Sequence, residues 1–272
     1  MNLTKDELII ALQDMTNTFK TNILYKYRAD NDYTENIIKN SALWFSRPKE
    51  FNDPFDCYSV PAPFSKQDAE KWMYSNALYK NATEEDKKKA KENIRNHSLM
   101  DVKFCIDAAI NNNVICCFNR TEKEILMWSH YSDKHQGLCF QFDIEKDPNL
   151  FVLPFDVKYV SSISPINIFK GELTNERIKQ IIAQKYTKWG YEQEVRVIKY
   201  TDEINLSNVD KGKAIKFNPE ALRKIIFGCK ASKETISKYK SLCANNGFNH
   251  VEFSQMHQKM DGSFDLEEEL NI

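Results

Sequence analysis

The stretch LWFSRPKEFNDPFD, residues 43–56, joins a short strand to an aspartate-rich turn. Leu43 and Phe45 alternate with Trp44 and Ser46, which predicts a strand whose two sides face different surroundings. The proline that follows ends this strand, because proline cannot donate a hydrogen bond to a sheet ladder. We therefore expect the strand to stop where the turn begins.

The turn contains polar residues between two phenylalanines. Asn52 and Asp53 precede a proline, and such residues favour a turn in which side-chain oxygens bond nearby backbone N–H groups. Burial of Phe51 and Phe55 would anchor this turn, at about 1.5–3 kcal/mol for each ring. The turn is then either a packed structural feature or a rigid loop that presents Asn52, Asp53 or Asp56 to a ligand.

Composition limits the classes of protein that the chain can belong to. Its 272 residues are 42% hydrophobic and 12% aromatic, enough for the core of one large domain. The 38 basic and 39 acidic side chains nearly cancel, so no overall positive field attracts nucleic acid. No apolar run approaches the ~20 residues of a membrane span, and the N-terminus lacks a signal-peptide pattern. We expect a cytoplasmic protein that does not bind membranes.

Cysteine and glycine usage exclude several common kinds of site. The seven cysteines form no Cys-x-x-Cys pair, and most lie in apolar, strand-like runs, so neither disulfides nor a zinc–thiolate site is expected. The seven glycines form neither a P-loop nor a Gly-x-Gly-x-x-Gly dinucleotide fingerprint. The set of predicted site residues therefore includes no metal ligand.

Short strands interspersed with helices predict an α+β fold in a single domain over residues 1–272. We expect a mixed, largely antiparallel, split sheet with flanking helices. The predicted strands cover residues 22–28, 43–46, 114–118, 137–143, 151–160, 192–200, 214–217, 224–229 and 251–253. The predicted helices cover residues 4–17, 33–41, 122–131, 175–188 and 233–245. The tail, residues 261–272, is expected to be mobile at its tip.

Residues 65–111 differ from their surroundings because they contain neither glycine nor proline. Helix-start patterns begin at Ser65 and Thr83. These features predict a helical insertion over residues 62–112. The lysines at positions 87–89 and 91 fit a solvated helix face better than a nucleic-acid site.

Three long runs resemble a bacterial family, the domain-of-unknown-function family 2971. They are LYKYR (24–28) with the opening stretch, LMWSHYSDKHQGLCFQFD (126–143) and KWGYEQEVRVI (188–198). The resemblance spans about residues 24–230. It indicates the family and leaves the function open.

Glu192, Glu194 and Arg196 have the period-two spacing that places side chains on one face of a strand. Two carboxylates and a guanidinium are costly to bury unless they are paired or used. A Glu-x-Glu pair on a late strand resembles the catalytic strand of ADP-ribosyltransferases. That resemblance implies that the second glutamate binds a ribose hydroxyl of NAD and stabilises an oxocarbenium-like transition state. The alternative is a ladder of ion pairs on an exposed face.

The N-terminal strand–helix–strand unit resembles the start of the same superfamily, although His-x-Thr and Ser-Thr-Ser runs are absent. The resemblance implies that Arg28 holds a phosphate by a forked contact. It also implies that Tyr27 or Trp44 stacks on nicotinamide and that Ser46 lines the pocket. The residues expected to contact NAD are Tyr27, Arg28, Trp44, Ser46, Asn52, Asp53 and Tyr131.

Two histidines lie in the second run, His130 near a helix end and His135 just before a glycine. Each is either a general base or substrate contact, or a histidine that caps or packs. A metal site of His130, His135, Asp53 and Asp56 matches no standard spacing. A Cys-His protease built on Cys139 conflicts with that thiol's apolar strand. The expected catalytic residues are Glu194, Glu192 and His130.

These patterns favour an NAD-using ADP-ribosyltransferase-like enzyme or NAD glycohydrolase, in the setting of a bacterial toxin or phage-defence effector. Its partners would be NAD and a protein or nucleic-acid acceptor. One alternative is a non-enzymatic sensor or partner-binding module, to which the 17 phenylalanines, 12 tyrosines and the helical insertion would contribute a surface. Another is a metal-dependent nuclease that uses Asp53, Asp56, His130 and Glu194. The enzyme hypothesis further predicts that the three runs meet in one pocket.

Overall fold

A computed structural model describes residues 22–75, 80–96, 98–152, 154–200, 211–270 and 272. The helix expected over residues 4–17 lies outside the described residues. The strands are β1 (Ile23–Arg28), β2 (Ala42–Phe45), β3 (Asn113–Asn119), β4 (Leu138–Asp143), β5 (Phe155–Asp156), β6 (Lys158–Val160), β7 (Gln184–Tyr186), β8 (Glu194–Tyr200), β9 (Lys213–Lys216), β10 (Leu222–Phe227), β11 (Glu252–Gln258) and β12 (Leu266–Leu270). The α-helices are α1 (Asp32–Lys39), α2 (Lys66–Ser75), α3 (Glu84–Asn96), α4 (Leu99–Asn111), α5 (Ile125–Tyr131), α6 (Asn175–Ile182) and α7 (Lys233–Asn245).

Eight strands form the main sheet in the order β12-β11-β10-β4-β1-β3-β8-β5. Its neighbouring strands are antiparallel except β10 and β11, which are parallel and joined by α7. Two small sheets accompany it, an antiparallel pair of β2 and β9 and a parallel pair of β6 and β7. The predicted α+β class with a mixed, largely antiparallel sheet is confirmed.

The main sheet opens between β1 and β3. β1 pairs with β4 along its whole length, from Ile23 to Arg28, and β3 pairs with β8 from Asn113 to Asn119. Between β1 and β3, only Tyr25 and Asn119 are paired. Beyond that pair the two strands diverge, so the sheet itself creates a wedge-shaped opening at its centre.

Apolar side chains pack on both faces of the sheet. On one face, Ile37 and Ile38 of α1 and Tyr239 of α7 pack over strand residues such as Phe140. On the other face, Trp128 of α5 packs on Tyr27 with a ring-centroid distance of 5.1 Å. β2 alternates as expected, because Leu43 and Phe45 are fully buried while Trp44 is 46% exposed.

The range 62–112 contains α2, α3 and α4. The Oγ of Ser65 accepts a hydrogen bond from the Asp68 amide, and the Thr83 Oγ1 accepts one from the Asp86 amide, so both predicted helix starts are confirmed. An apolar cluster that includes Ile106 of α4 and Ile182 of α6 ties these helices to the rest of the structure. The three helices therefore share an apolar core with the rest of the domain.

Several of the expected elements differ from those in the structure. The helix predicted for residues 175–188 ends at Ile182, and Tyr186 lies on β7 with a half-exposed ring rather than on a buried helix face. The tail, expected to be mobile at its tip, contains a strand that the pattern did not predict, namely β12, which pairs with β11 from Leu266 to Leu270. The strand expected over residues 151–160 is reduced to β5 and β6. Each error has the same cause, namely that pairing with a distant strand overrides local pattern.

Candidate functional site

A cleft of about 300 Å³ occupies the opening between β1 and β3. β1 forms one wall, while Ile115 and Cys117 of β3 form the other. The turn after β2, helix α5 and the segment that leads into β8 close its sides. A concave cleft of this size is typical of a small-molecule binding site.

Most of the residues that the sequence singles out line this cleft. They are Tyr27, Arg28, Trp44, Ser46, Asn52, Tyr131, Glu192 and Glu194. Asp56 lines it as well. The expectation that the three sequence runs meet in one pocket is therefore confirmed, whereas the chemical role of each residue stays a prediction.

Asp53 and His130 lie elsewhere. The Asp53 Oδ1 accepts a hydrogen bond from the amide of Phe55, and the side chain lines a second cavity. His130 is exposed, with its ring centroid 6.3 Å from that of Tyr191, and it does not line the cleft. Phe55, expected to anchor the turn by burial, is 66% exposed. The turn is instead held by an Asp56 N–H bond to the Asp53 carbonyl and by the ion pairs of Asp56.

Five ionisable side chains at one end of the cleft form a buried charge cluster: Asp56, Lys185, Glu192, Glu194 and Arg196. None is more than 9% exposed. Arg196 donates to both oxygens of Asp56 at 2.8 and 2.7 Å and to both oxygens of Glu194 at 2.7 and 3.0 Å. Lys185 donates to Glu192 at 2.5 Å and to Glu194 at 3.2 Å. The expected ladder of ion pairs exists, but it is buried rather than exposed.

The two glutamates of the cluster have opposite pKa shifts. Burial would raise the pKa of Glu194, but the charge and hydrogen bonds of Arg196, together with the charge of Lys185, lower it to about 2. Burial also raises the pKa of Glu192, and there the contacts with Lys185 do not offset the effect. Three carboxylates face two cations, so the fully ionised cluster carries a net charge of −1.

Glu192 does not lie on β8, contrary to expectation. It ends the 3₁₀ turn Thr187–Glu192, and Gln193 follows in the left-handed region with φ of 42°. The Asn119 side chain donates to the Glu192 carbonyl at 2.7 Å, which fixes the turn to β3. A non-glycine residue with positive φ is uncommon and often marks a functional site. The turn brings both glutamates to Lys185, which a regular strand would not require.

Lys185 is a site residue that sequence reasoning missed. It lies in the range expected to be helix, and no local pattern marks it as a partner of Glu192 and Glu194. Its placement depends on β7, a three-residue strand that pairs with β6. Burial lowers the pKa of Lys185, but the carboxylates around it, Glu194 first, raise it well above its ordinary value.

The β1 side of the cleft contains two cations, Lys26 and Arg28, whose surroundings differ from those of the buried charge cluster. Lys26 reaches across the opening and donates to the Cys117 carbonyl at 2.8 Å, with its ammonium 5.2 Å from the Phe118 ring centroid. The Nε of Arg28 is buried without a hydrogen-bond partner among the described residues. Among the described residues, no carboxylate lies within ion-pair distance of Lys26 or Arg28. Burial lowers the pKa of Arg28.

Aromatic rings complete the cleft. Trp44 is 46% exposed, so it presents a free ring surface to a ligand. Tyr27 is almost fully buried, and its hydroxyl donates to the Thr121 carbonyl at 2.9 Å. Phe51 lies against the Arg196 guanidinium, 5.3 Å from ring centroid to Cζ. Of the two rings expected to stack on a ligand, the structure leaves Trp44 accessible and uses Tyr27 for packing.

Within the described ranges, no group of three His, Cys, Asp or Glu side chains is arranged to hold a metal ion. In the same ranges, no helix is long and apolar enough to cross a membrane. The residues present offer cationic, anionic and aromatic contacts to an organic ligand. They do not form a metal-centred site.

Fold and site together define an α+β protein with a charged, aromatic cleft at a split in its sheet. Residues 127–197, which include most of α5, all of β4 and four residues of β8, match a family model described as a protein of unknown function (DUF2971). The matched segment contributes Tyr131, Lys185, Glu192 and Glu194 to the cleft. No curated protein and no solved structure matches the chain.

Proposed function

We propose that this protein cleaves the bond between nicotinamide and ribose in NAD, with transfer of the ADP-ribosyl group to an acceptor or to water. One observation carries the proposal. A single cleft holds an arginine with no carboxylate partner among the described residues and a charge cluster with one carboxylate in excess. NAD has the matching pattern, because its pyrophosphate is anionic and its reacting carbon becomes cationic.

Arg28 and Lys26 form the anion-binding side. An arginine whose buried Nε–H has no partner among the described residues gains a strong, charge-assisted hydrogen bond when a phosphate oxygen binds. Lys26 adds a second positive charge on the same strand. The exposed ring of Trp44 offers a face for a planar base. A cleft of about 300 Å³ encloses the reacting half of a dinucleotide rather than all of it.

The proposed reaction breaks the bond between ribose C1′ and the nicotinamide nitrogen. The electron pair of that bond moves to the nitrogen, nicotinamide leaves as a neutral molecule, and C1′ develops oxocarbenium character. The net negative charge of the buried cluster stabilises this cation in a site from which water is largely excluded. A nucleophile then bonds to C1′ and releases its proton, which completes the transfer.

Glu192 is the carboxylate best suited to touch the substrate. Among the described residues, its Oε1 accepts only from the Tyr131 hydroxyl at 2.7 Å and its Oε2 only from Lys185, so each oxygen keeps a lone pair for a ligand. Glu194 has fewer lone pairs available for a substrate, because Arg196 donates to both of its oxygens and Lys185 also donates to one of them. We therefore assign substrate contact to Glu192, and we assign to Glu194 the positioning of Lys185 and Arg196.

Nicotinamide release from NAD tests the proposal, with the protein alone and with lysate protein, DNA or RNA added. We expect release by the native protein and a fall of about 100-fold in Glu192→Gln, the usual effect of removing one transition-state contact. The matched control is Glu176→Gln, which alters an exposed glutamate on α6. No nicotinamide release in any mixture would refute the proposal.

A second candidate function is a sensor that binds the nucleotide without cleaving it. The observation that favours it is the near-complete pairing of Glu194 by Arg196 and Lys185. The two candidates differ in one measurement. A sensor binds NAD and ADP-ribose in a titration but releases no nicotinamide over hours.

A further inference from the structure

A second cavity of about 640 Å³ lies beside the cleft and is separate from it. Among the described residues, Lys185 alone lines both spaces. The walls of the second cavity are apolar, with Val160 on β6, Ile163 after that strand and Ile181 on α6. A concave space of this volume and lining is the size of one drug-like organic molecule. The reaction proposed for the cleft assigns no role to it.

A carboxylate in the lining favours a cation. Asp53 is the only acidic side chain among the described lining residues, and no basic group described in the structure lies within ion-pair distance of it. Its Oδ1 accepts from the Phe55 amide at 2.9 Å. Among the described residues, Oδ2 accepts no hydrogen bond, so it remains available to a ligand.

The lysines that border the second cavity do not cancel this preference. Lys185 is paired with three carboxylates of the buried charge cluster, whose net charge is −1. Lys103, whose ammonium lies 4.6 Å from the Tyr58 ring centroid, is paired with Asp107 at 2.8 Å. Asp53 and the cluster therefore leave these surroundings negative, which attracts a positively charged ligand.

Aromatic rings provide a second kind of contact for a cation. Phe55 and Tyr58 stand edge to face with their centroids 6.0 Å apart, and both rings are exposed. The Lys185 ammonium lies 5.0 Å from the Trp189 ring centroid, so one of these rings already contacts a cation. Four rings in total line the cavity: Phe55, Tyr58, Tyr186 and Trp189. Rings grouped around a carboxylate bind organic cations through the negative faces of their π-systems.

The lining suits a fully alkylated ammonium better than a primary one. A primary ammonium has three N–H donors that need acceptors once water is removed, whereas a quaternary ammonium has none. Cages of aromatic rings are a recurrent site for quaternary ammonium groups. The apolar walls then receive the hydrocarbon part of the same molecule.

We propose that the second cavity is a binding site for a small quaternary ammonium compound with an aromatic or aliphatic body. The ammonium lies among the rings beside Asp53, and the body packs against Val160, Ile163 and Ile181. No bond forms or breaks in this site. The inference is independent of the proposed function, because neither NAD nor the cleft takes part in it.

Calorimetric titration with three probes tests the site. The compound meta-hydroxyphenyltrimethylammonium carries both a quaternary charge and an aromatic body. Its neutral isostere, meta-tert-butylphenol, has carbon in place of the charged nitrogen, and tetramethylammonium has the charge without the body. We expect the first probe to bind at least about tenfold more tightly than either of the other two.

Two variants test the contacts that the proposal assigns. Asp53→Asn should weaken binding of meta-hydroxyphenyltrimethylammonium about tenfold, because it removes the charge and keeps an acceptor oxygen for the Phe55 amide. Its affinity for meta-tert-butylphenol and its urea unfolding midpoint should match wild type, which separates lost affinity from lost fold. Phe55→Leu should weaken binding of the ammonium probe about threefold, since leucine is apolar but has no π-face.

Two control variants should leave binding of the ammonium probe unchanged. Asp261→Asn alters a carboxylate in a similar turn, whose Oδ1 accepts from the Ser263 amide at 2.9 Å outside the cavity lining. Trp44→Leu removes the exposed ring of the cleft.

Three results would overturn the inference. Equal binding of meta-tert-butylphenol would show an apolar pocket without a preference for charge. Binding that survives Asp53→Asn and is lost in Trp44→Leu would place the cation in the cleft. The third result is the absence of measurable binding of meta-hydroxyphenyltrimethylammonium. Nicotinamide release is not a readout of this test, so the proposed function stands or falls separately.

Discussion

The two charged ends of the cleft differ in how their charges are satisfied. In the buried charge cluster, Arg196 donates to four carboxylate oxygens, and Lys185 joins Glu192 to Glu194. At the β1 end, Arg28 lacks a partner for its buried Nε within the described residues. Both ends contain cations, and within the described residues only those of the buried charge cluster are paired with carboxylates.

This difference distinguishes charges that stabilise the fold, in the buried charge cluster, from a charge that is available to bind a ligand, at Arg28. A buried charge without a partner is costly, and the cost is relieved when an opposite charge arrives. The cluster meets that requirement internally, so it should contribute to stability. The Arg28 end should contribute little to stability and much to anion binding.

Arg196→Met should produce the largest effect, because it leaves Asp56 and Glu194 buried without their main partner. Removing one member of a buried pair costs about 3–5 kcal/mol. Urea unfolding at neutral pH measures this loss. The control is Arg120→Met, which breaks a partly exposed pair with Asp156 and should cost less than about 1 kcal/mol. Equal losses in the two variants would contradict a structural role for the cluster.

The pH dependence of unfolding should come next in size. Because folding lowers the pKa of Glu194 from 4.5 to about 2, this group adds stability above pH 4.5 that is lost as the pH falls towards 2. The pKa difference corresponds to about 3 kcal/mol. Glu194→Gln should remove this part of the profile, whereas Glu176→Gln should keep it.

Glu192 should contribute with the opposite sign. Its pKa is raised in the folded protein, so its contribution is favourable below the unfolded value of 4.5 and is lost as the pH rises through the folded pKa. Wild type should therefore lose stability relative to Glu192→Gln as the pH rises above 4.5. Parallel unfolding profiles for the two glutamate variants would show that the cluster does not distinguish them.

Tyr131→Phe should have a smaller effect. It removes the hydroxyl that donates to the Glu192 Oε1, and a hydrogen bond to a charged group is worth about 1.5–3 kcal/mol. The loss is measured by thermal or urea unfolding. Tyr200→Phe, a change on a ring that is 61% exposed, should stay within about 0.5 kcal/mol of wild type. A loss no larger than that of the control would show that the Tyr131 hydroxyl does not support Glu192.

Arg28→Met should change stability least, by about 1 kcal/mol or less in either direction, because the side chain is partly exposed and the change breaks no ion pair among the described residues. The same variant should bind ADP-ribose at least about tenfold more weakly, the effect of about 1.4 kcal/mol of lost interaction. Calorimetric titration and urea unfolding measure the two quantities. A large loss of stability with unchanged binding would reverse the assignment of the two ends.

Local pattern predicted much of the fold. The alternation of Leu43 and Phe45 with Trp44 appears in the structure as buried and exposed positions, and the helix expected over residues 233–245 matches α7. Period-two and helical spacing report which face of an element is buried, and that information is local. Local pattern did not predict β12 in the tail, because this strand forms by pairing with β11.

The sequence predicted which residues line the cleft better than it predicted which of them bond to each other. Tyr27, Arg28 and Glu194 stood out because charged and aromatic side chains adjoin each other in short runs, and all three line the cleft. Lys185 did not stand out, since a lysine in a helix-like stretch is ordinary in sequence. Lys185 reaches the buried charge cluster because it lies on β7, and no local sequence pattern predicts that strand.

The sequence by itself determined the element types of most strands and helices, the chemistry available to the cleft, and the exclusion of a P-loop or dinucleotide fingerprint. Only the tertiary structure decided which charges are paired. Asp56 and Arg196 are separated by 140 positions, and among the described residues the buried Nε of Arg28 has no hydrogen-bond partner. Pairing depends on distances between elements, and those distances are set by the packing of the whole sheet rather than by any local run of residues.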